Sequence, residues 1–296
     1  MNKGGFYAAG AYLIWGLFPL FWKALQSVPP LEILAHRVVW SMAFLVVLLA
    51  LQRNWNWLPA ALRDGRIAAR YAASGLLLMA NWFIFIWAVN TGRVVEASLG
   101  YFITPLLNVG LGVVCLNERL RPLQGVAIAI AAGGVVALTL VYGALPWAAF
   151  ALALTFALYG LLRKTSPLGS LEGLTLETLF VCVPALIFLL TREVQHAGVF
   201  GHGSATTSWL LVSSGAVTAL PLLLFAAGAK RVPMTLLGVL QYIAPTMQFL
   251  LGAMVYQEAL DRARLLGFSL IWLALALYAG ESLRRSKAPP ALEVKA

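Results

Sequence analysis

Charge is what this sequence has least of. Only 11% of its 296 residues are Asp, Glu, Lys or Arg, against roughly 25% in a soluble domain. With 61% hydrophobic residues and a mean hydropathy of +0.86, the apolar surface exceeds what one soluble core can hide, so the solvent is lipid. Long soluble stretches are also lacking: the widest gaps between apolar runs, 52–66 and 191–207, are loops. The runs show no period-two alternation, which excludes a membrane β-barrel. The two cysteines, Cys115 and Cys182, sit singly in apolar runs, so neither a disulfide framework nor a metal site follows. His196 and His202 lie in a loop with Gly and Ser, where solvated side chains are the plainer reading. No GxxxxGK[ST], HExxH or GxSxG occurs, which removes support for ATP-driven or hydrolytic chemistry. The chain is expected not to be an enzyme and to need no cofactor or metal.

What is present is a series of apolar runs, each of about the 20 residues that cross a bilayer. Ten can be placed, at 5–25, 31–51, 67–90, 95–115, 122–141, 145–163, 172–190, 208–228, 234–256 and 264–283. The expected fold is an all-α integral membrane protein of ten transmembrane helices. The net charge of +10 is not a nucleic-acid signal, because Lys and Arg collect in alternate loops. With a cytoplasmic N-terminus, the inner side holds Lys3, Arg53, Arg63, Arg66, Arg70, Arg119, Arg121, Arg163, Lys164, Lys230, Arg231 and the basic tail. The outer side holds only Lys23, Arg37, Arg93, Arg192, Arg262 and Arg264. This is the positive-inside bias, and it puts both N- and C-termini in the cytoplasm. The first run is too long for a signal-peptide core and lacks a cleavage site, so it is expected to be a helix.

The chain also repeats itself. YFITPLLNVGLGVVCLNERL (101–120) lies over QYIAPTMQFLLGAMVYQEAL (241–260), matching Ile103 to Ile243, Pro105 to Pro245, Gly112 to Gly252 and Glu118 to Glu258. LEILAHRVVW (31–40) falls on LEGLTLETLF (171–180), and Trp15-Gly16 on Tyr159-Gly160. Residues 1–141 and 142–283 thus form two five-helix units, and 284–296 are an expected disordered cytoplasmic tail. An odd number of spans turns the second unit upside down, an inverted repeat of the kind found in secondary transporters. The plainer alternative is a duplication that only builds a stable bundle.

Polar side chains at membrane depth are costly unless paired or facing a cavity. Tyr101, Thr104, Asn108, Gly112 and Cys115 share one helix face, as do Gln241, Pro245, Gln248 and Gly252 in the repeat. Asn108 and Gln248 are repeat mates, as are Tyr101 and Gln241, which points to two faces of one polar cavity. Pro105 and Pro245 each free a carbonyl and offer a hinge or a plain kink. Asn81 lies within a span beside Trp82, and Trp15, Tyr12 and Tyr159 add aromatic surface suited to an amphiphile with an apolar body. Trp55, Trp57 and Trp147 read as interfacial belt residues. Glu32, His36 and Arg37 open the second run: Glu32 and His36 are i,i+4 neighbours, and Arg37 needs a partner such as Glu96 or Glu32, as an outer gate. His36 adds a titratable group. Glu177 is an isolated carboxylate with no evident partner. Gly125, Ala129, Gly133 and Ala137 form a small-residue ladder, expected mainly to serve internal packing.

AYLIWGLFPLFWKAL, EILAHRVVWS, NWFIFIWAVN, EASLGYFITPLLNVGLG, ERL and QYIAPTMQFLLG resemble the RarD subfamily of EamA-type proteins, in the drug/metabolite transporter (DMT) superfamily. The resemblance implies ten helices in two inverted EamA repeats, cytoplasmic termini and a bacterial inner-membrane location. It places a cavity between the first, third, fourth, sixth, eighth and ninth spans. The subfamily name is linked to chloramphenicol sensitivity, and related members export amino acids and other metabolites. Glu32, His36, Arg37, Asn81, Trp82, Glu96, Tyr101, Gln241 and Tyr242 stand at its motif positions.

The expectation is therefore a secondary or facilitative exporter of a small amphipathic metabolite, working by alternating access. Its substrate residues are Trp15, Asn81, Trp82, Tyr101, Asn108, Tyr159, Gln241, Tyr242 and Gln248. Glu32, His36, Arg37 and Glu96 serve gating or proton coupling, and Pro105 and Pro245 are hinges. Expected partners are the small-molecule substrate, the lipid bilayer and protons, with no nucleic acid and a monomer or weak dimer. The competing readings are a lipid-intermediate flippase and a non-transporting scaffold.

Overall fold

The computed structural model describes residues 3–91, 93–142, 146–255 and 262–286. They fold into twelve α-helices: α1 (Lys3–Lys23), α2 (Pro30–Gln52), α3 (Trp57–Arg63), α4 (Gly65–Asn90), α5 (Val94–Leu116), α6 (Pro122–Tyr142), α7 (Trp147–Thr165), α8 (Ser170–Val194), α9 (Ala205–Ala229), α10 (Met234–Gln241), α11 (Ile243–Met254) and α12 (Arg262–Ser286). Eight stretches are long and apolar enough to cross a membrane, with α10 and α11 forming one of them. The apolar stretches Pro122–Ala137 of α6 and Leu265–Tyr278 of α12 are shorter. Glu258, the repeat mate of Glu118, and residues 287–296 of the expected tail lie outside the described residues.

Local chemistry sets the helix ends. Pro30 opens α2, where its fixed φ suits a helix and its missing N–H costs nothing. The Asp64 carboxylate accepts from the Arg66 and Ile67 amides to start α4. Ser204 caps α9 through the Thr207 amide. Asn117 ends α5 in the left-handed region, at φ 53°, which asparagine tolerates. The seven-residue α3 falls inside the expected loop 52–66; a helix so short carries no readable period.

The ninth run is not one helix. Pro245 has no N–H, so the carbonyl of Gln241 loses the donor four residues on. The run breaks at Tyr242, between α10 and α11. Its repeat mate Pro105 lies inside α5, which continues unbroken.

The helices pack around a centre built from α1, α7 and α9. α1 lies on α9, α10 and α11; α7 lies on α4, α5 and α9; α2 lies against α8 and α9; α6 pairs with α12. α9 makes two close crossings. A Cβ at Gly215 would sit 2.2 Å from the Trp40 carbonyl carbon, and one at Gly228 2.8 Å from the Ala8 nitrogen, so neither position has room for a side chain. Leu76, Phe83, Val136, Ile187, Trp209 and Leu266 point outward, the pattern of a bundle solvated by lipid.

The small-residue ladder of α6 does not serve internal packing. Ala129, Gly133 and Ala137 are exposed, and Gly133 has nothing within 4 Å of its missing Cβ. The neighbouring stripe of Ala127, Ala131 and Val135 is buried with Ala274 and Tyr278 of α12. The two stripes are offset by two residues, about 200° around the helix, and in so apolar a segment the pattern alone does not choose between them.

The bundle has two chemically distinct ends. Gly4 at the start of α1 abuts Arg231 and Val232, and Tyr71 near the start of α4 meets Leu168. That end gathers Arg70, Arg163, Lys164, Lys230 and Arg231, and is called the basic end below. At the opposite end, Phe21, Trp22, Leu25 and Val28 pack with Val199, Phe200 and Leu211.

Candidate functional site

Five aromatic rings meet near the middle of the bundle. Tyr12 and Trp15 come from one face of α1, Phe156 and Tyr159 from one face of α7, each pair three residues apart. Phe225 of α9 closes the group. Ring centroids are 5.5–5.8 Å apart for Trp15–Phe156, Trp15–Phe225, Phe156–Phe225 and Tyr159–Phe225, within the contact range of aromatic pairs. The Tyr12 hydroxyl is buried with no hydrogen-bond partner, and the Tyr159 hydroxyl lies beside the Glu177 carboxylate.

An amide pair adjoins the rings. Asn108 of α5 donates through Nδ2 to Gln241 Oε1 of α10, at 2.7 Å. Asn108 Oδ1 is buried and unpartnered, and a Cβ built on Gly160 would lie 3.7 Å from it and 3.4 Å from Phe225. A buried acceptor without a donor carries a desolvation cost of about 1–3 kcal/mol, which an incoming N–H or O–H would relieve.

Two buried or half-buried arginines flank this centre. Arg37 of α2 is half-buried toward the end opposite the basic one. Its guanidinium carbon lies 4.5 Å from the Trp22 ring centroid and 4.4 Å from that of Trp82. Its Nε donates to Thr218 Oγ1 of α9 at 3.0 Å. Arg163 of α7, fully buried, belongs to the basic end. Its Nη1 donates to Glu177 Oε1 of α8 at 3.1 Å and its Nη2 to the Ser170 carbonyl at 3.1 Å. Ser74 of α4 donates to the same Glu177 oxygen at 2.5 Å, so three helices share one carboxylate. Around it, Arg70 donates to the Thr165 carbonyl, Lys164 to the Ala229 and Val232 carbonyls and Lys230 to that of Leu168. Burial, with Arg163 nearby, holds the Lys230 ammonium below its ordinary pKa.

Other acids seat the backbone. Glu118 accepts from the Met234 and Thr235 amides at 2.6 and 2.8 Å, tying the end of α5 to the start of α10. Glu96 accepts from the Ala148 amide of α7 at 2.7 Å and pairs with Arg93 at 3.3 Å. Glu32 accepts from the Val199 amide at 2.6 Å and lies 4.0 Å from both His36 and Arg192.

The expected residues fall into groups. Trp15 and Tyr159 meet in the aromatic cluster, Asn108 and Gln241 pair, and Trp82 stacks on Arg37. Asn81 is engaged by α7, donating to the Leu152 carbonyl and Thr155. Tyr242 donates to the Phe102 carbonyl and Gln248 to that of Trp15. Tyr101 is 39% exposed and packs on Phe85, within electrostatic reach of Arg37. His36 stacks on Phe200. Arg37 takes neither Glu96 nor Glu32 as its ion-pair partner; the acids pair with Arg93 and Arg192 instead. Sequence reasoning missed Phe156, Phe225, Trp22, Thr218, Ser74 and Arg163. The i,i+3 spacing of Phe156 and Tyr159 was a usable signal; Thr218, one of several hydroxyls in an apolar run, was a weak one. Among the described residues no cluster of His, Cys, Asp or Glu could hold a metal.

Comparison with known proteins agrees over almost the whole chain. Residues 2–140 match the EamA-like transporter family. An uncharacterized transporter, YojE of Bacillus subtilis, is 47% identical over 94% of this chain and 93% of its own. Protein RarD of Streptomyces exfoliatus is 43% identical over 97% of this chain and 91% of its own. A crystal structure at 22% identity shares the fold, with a TM-score of 0.71 over 95% of this chain and 98% of its own. The chain is therefore a multi-pass membrane protein of the EamA-like transporter family, in its RarD subfamily.

Proposed function

We propose that the protein is a secondary carrier that exports a small amphipathic metabolite across the bacterial inner membrane by alternating access. It has ten spans, with α6 and α12 joining the eight longer stretches and α10–α11 counted as one. The spans form two inverted units, residues 1–141 and 142–283, with both termini cytoplasmic. The packing supports this reading. α1 lies on α9 and α10–α11, and its repeat mate α7 lies on α4 and α5, the repeat mates of those partners.

One observation carries the proposal: the aromatic and amide groups at the centre come from repeat-related positions. Trp15 and Tyr159 are mates and stand on either side of Phe225. Gln248 reaches the Trp15 carbonyl on α1, while its mate Asn108 faces Gly160, next to Tyr159 on α7. An inverted repeat puts such a centre at the midplane, where a carrier binds its cargo. The rings offer an apolar bed, and Asn108 Oδ1 and the Tyr12 hydroxyl offer polar contacts. The Arg163–Glu177–Ser74 cluster then acts as a latch that holds the basic, cytoplasmic end shut.

Counterflow in proteoliposomes tests this. Vesicles loaded with unlabelled aromatic amino acids, aromatic acids or chloramphenicol are expected to accelerate uptake of the labelled compound for at least one class. Trp15→Ala and Tyr159→Ala should each slow it by about tenfold, the worth of one well-packed ring contact. Silence across the panel would overturn the small-molecule reading and leave lipid flipping as the next assay.

A further inference from the structure

Arg37 and Arg163 are both cations inside the bundle, but of the two only Arg163 has a carboxylate among the described residues. Among the described residues no Asp or Glu forms an ion pair with Arg37, and its one hydrogen bond runs from Nε to Thr218. Its two Nη groups make none. An unpaired guanidinium at membrane depth is unfavourable, and intramembrane cations mark pathways or pair with something. The two indole faces at 4.5 and 4.4 Å offset part of that cost. They also hold the guanidinium, leaving its outer edge, the edge that binds carboxylates through two parallel N–H bonds, without an acceptor among the described residues.

Its neighbours complete a site. The Tyr101 phenol lies within electrostatic reach of the guanidinium. Trp22 belongs to a stripe of α1 that continues through Phe18 to Trp15 and Tyr12, with Phe18 and Trp22 in edge contact at 5.4 Å and Tyr12 and Trp15 at 5.5 Å. Trp82, the second indole on Arg37, packs against the hydrophobic cluster that contains Tyr12, Tyr159 and Phe225. An aromatic stripe of α1, with Trp82 beside it, therefore links the indoles around Arg37 to the central rings.

From this geometry we infer that Arg37 is the anion-binding group of the cargo site, and that the cargo is a carboxylate with an aromatic or other flat apolar body. The carboxylate takes the two Nη groups of Arg37. The body lies along the α1 stripe toward Trp15. This rests on the carrier reading above but fixes what that reading leaves open: a neutral amphiphile lacks the group that Arg37 requires.

Binding, measured apart from transport, tests the inference. The full-length protein in neutral detergent is titrated with matched pairs, 3-phenylpropionate against 3-phenylpropionamide and indole-3-acetate against indole-3-acetamide. Quenching of tryptophan fluorescence is the readout, with inorganic phosphate as a control for an undirected anion site. The acids are expected to bind at least about tenfold more tightly than the amides, the worth of one charge-assisted hydrogen bond. That preference should vanish in Arg37→Gln and survive, weakened, in Arg37→Lys, with both variants monodisperse. The inference is overturned if acids and amides bind alike, if neither binds, if phosphate competes equally, or if Arg37→Gln keeps the preference. Counterflow of the same compounds separates the two claims. Acid-selective binding without counterflow keeps the anion site and removes the carrier. Counterflow of the acids at the wild-type rate in Arg37→Gln keeps the carrier and removes the anion site.

Discussion

The two internal arginines show how the same side chain serves two purposes. Arg163 is neutralised by its own protein: Glu177 and the Ser170 carbonyl take its Nη groups, its Nε is buried without a partner among the described residues, and Ser74 holds Glu177 from a third helix. Arg37 is held by indole faces and one hydroxyl, which position a cation without neutralising it. A closed ion pair joins helices; an open cation waits for an anion. The difference teaches that burial of charge is not one phenomenon, and that the partner's identity decides whether the group supports the fold or the cargo.

The sharpest way to break the comparison is to remove one charge at each place. Glu177→Ala leaves Arg163 buried without an anion and should cost about 3–5 kcal/mol, read as a large fall in detergent melting temperature. Arg37→Gln removes a cation that has no anionic partner among the described residues and should cost far less. Equal losses would mean that Arg37 has an anionic partner in the fold. A smaller effect concerns the frame that sets both arginines. Gly215→Val drives a side chain into the Trp40 backbone and should destabilise by about 1–3 kcal/mol through forced separation of α2 and α9; Ser213→Val, at an exposed position of the same helix, serves as the control. The smallest effect is at the basic end. Glu118→Gln keeps the shape but weakens the cap on α10, and should cost about 1 kcal/mol with little change in binding at Arg37. A loss as large as that of Glu177→Ala would show that the cap, and not the ion pair, holds that end.

The helices were legible because lipid imposes a simple requirement: about 20 apolar residues per crossing. The ends of α2, α4, α5 and α9 fall within a few residues of the runs read from sequence. Pro245 signalled a break and Pro105 gave the same signal, yet only one helix is interrupted. Packing decides that, and a proline does not encode it alone. In the site, Trp15, Tyr159, Asn108 and Gln241 could be chosen because repeat-related polar or aromatic groups at depth are rare. Their partners could not. Thr218 is 181 residues from Arg37, and no local pattern links them. Arg163 was hidden for a different reason. A basic residue at the end of an apolar run reads as a topology signal, and only the bundle reveals that it points inward to Glu177. Glu32 and Glu96 look like gate acids in sequence because one opens the same run as Arg37 and the other falls at the same outer level. In the bundle they accept from the Val199 and Ala148 amides, a nearer and cheaper way to satisfy a carboxylate.

The measurement that bears most directly on alternating access is a distance across the basic end. Spin labels are placed at Arg66→Cys and Arg231→Cys in a Cys115→Ser, Cys182→Ser background, and the distance distribution is compared between that protein and the same protein carrying Glu177→Gln. If the Arg163–Glu177 latch holds this end shut, the distribution is short and narrow with the latch intact. Breaking the latch then adds a longer population. A single unchanged distribution in both proteins would contradict the account and mark the bundle as a rigid scaffold at that end.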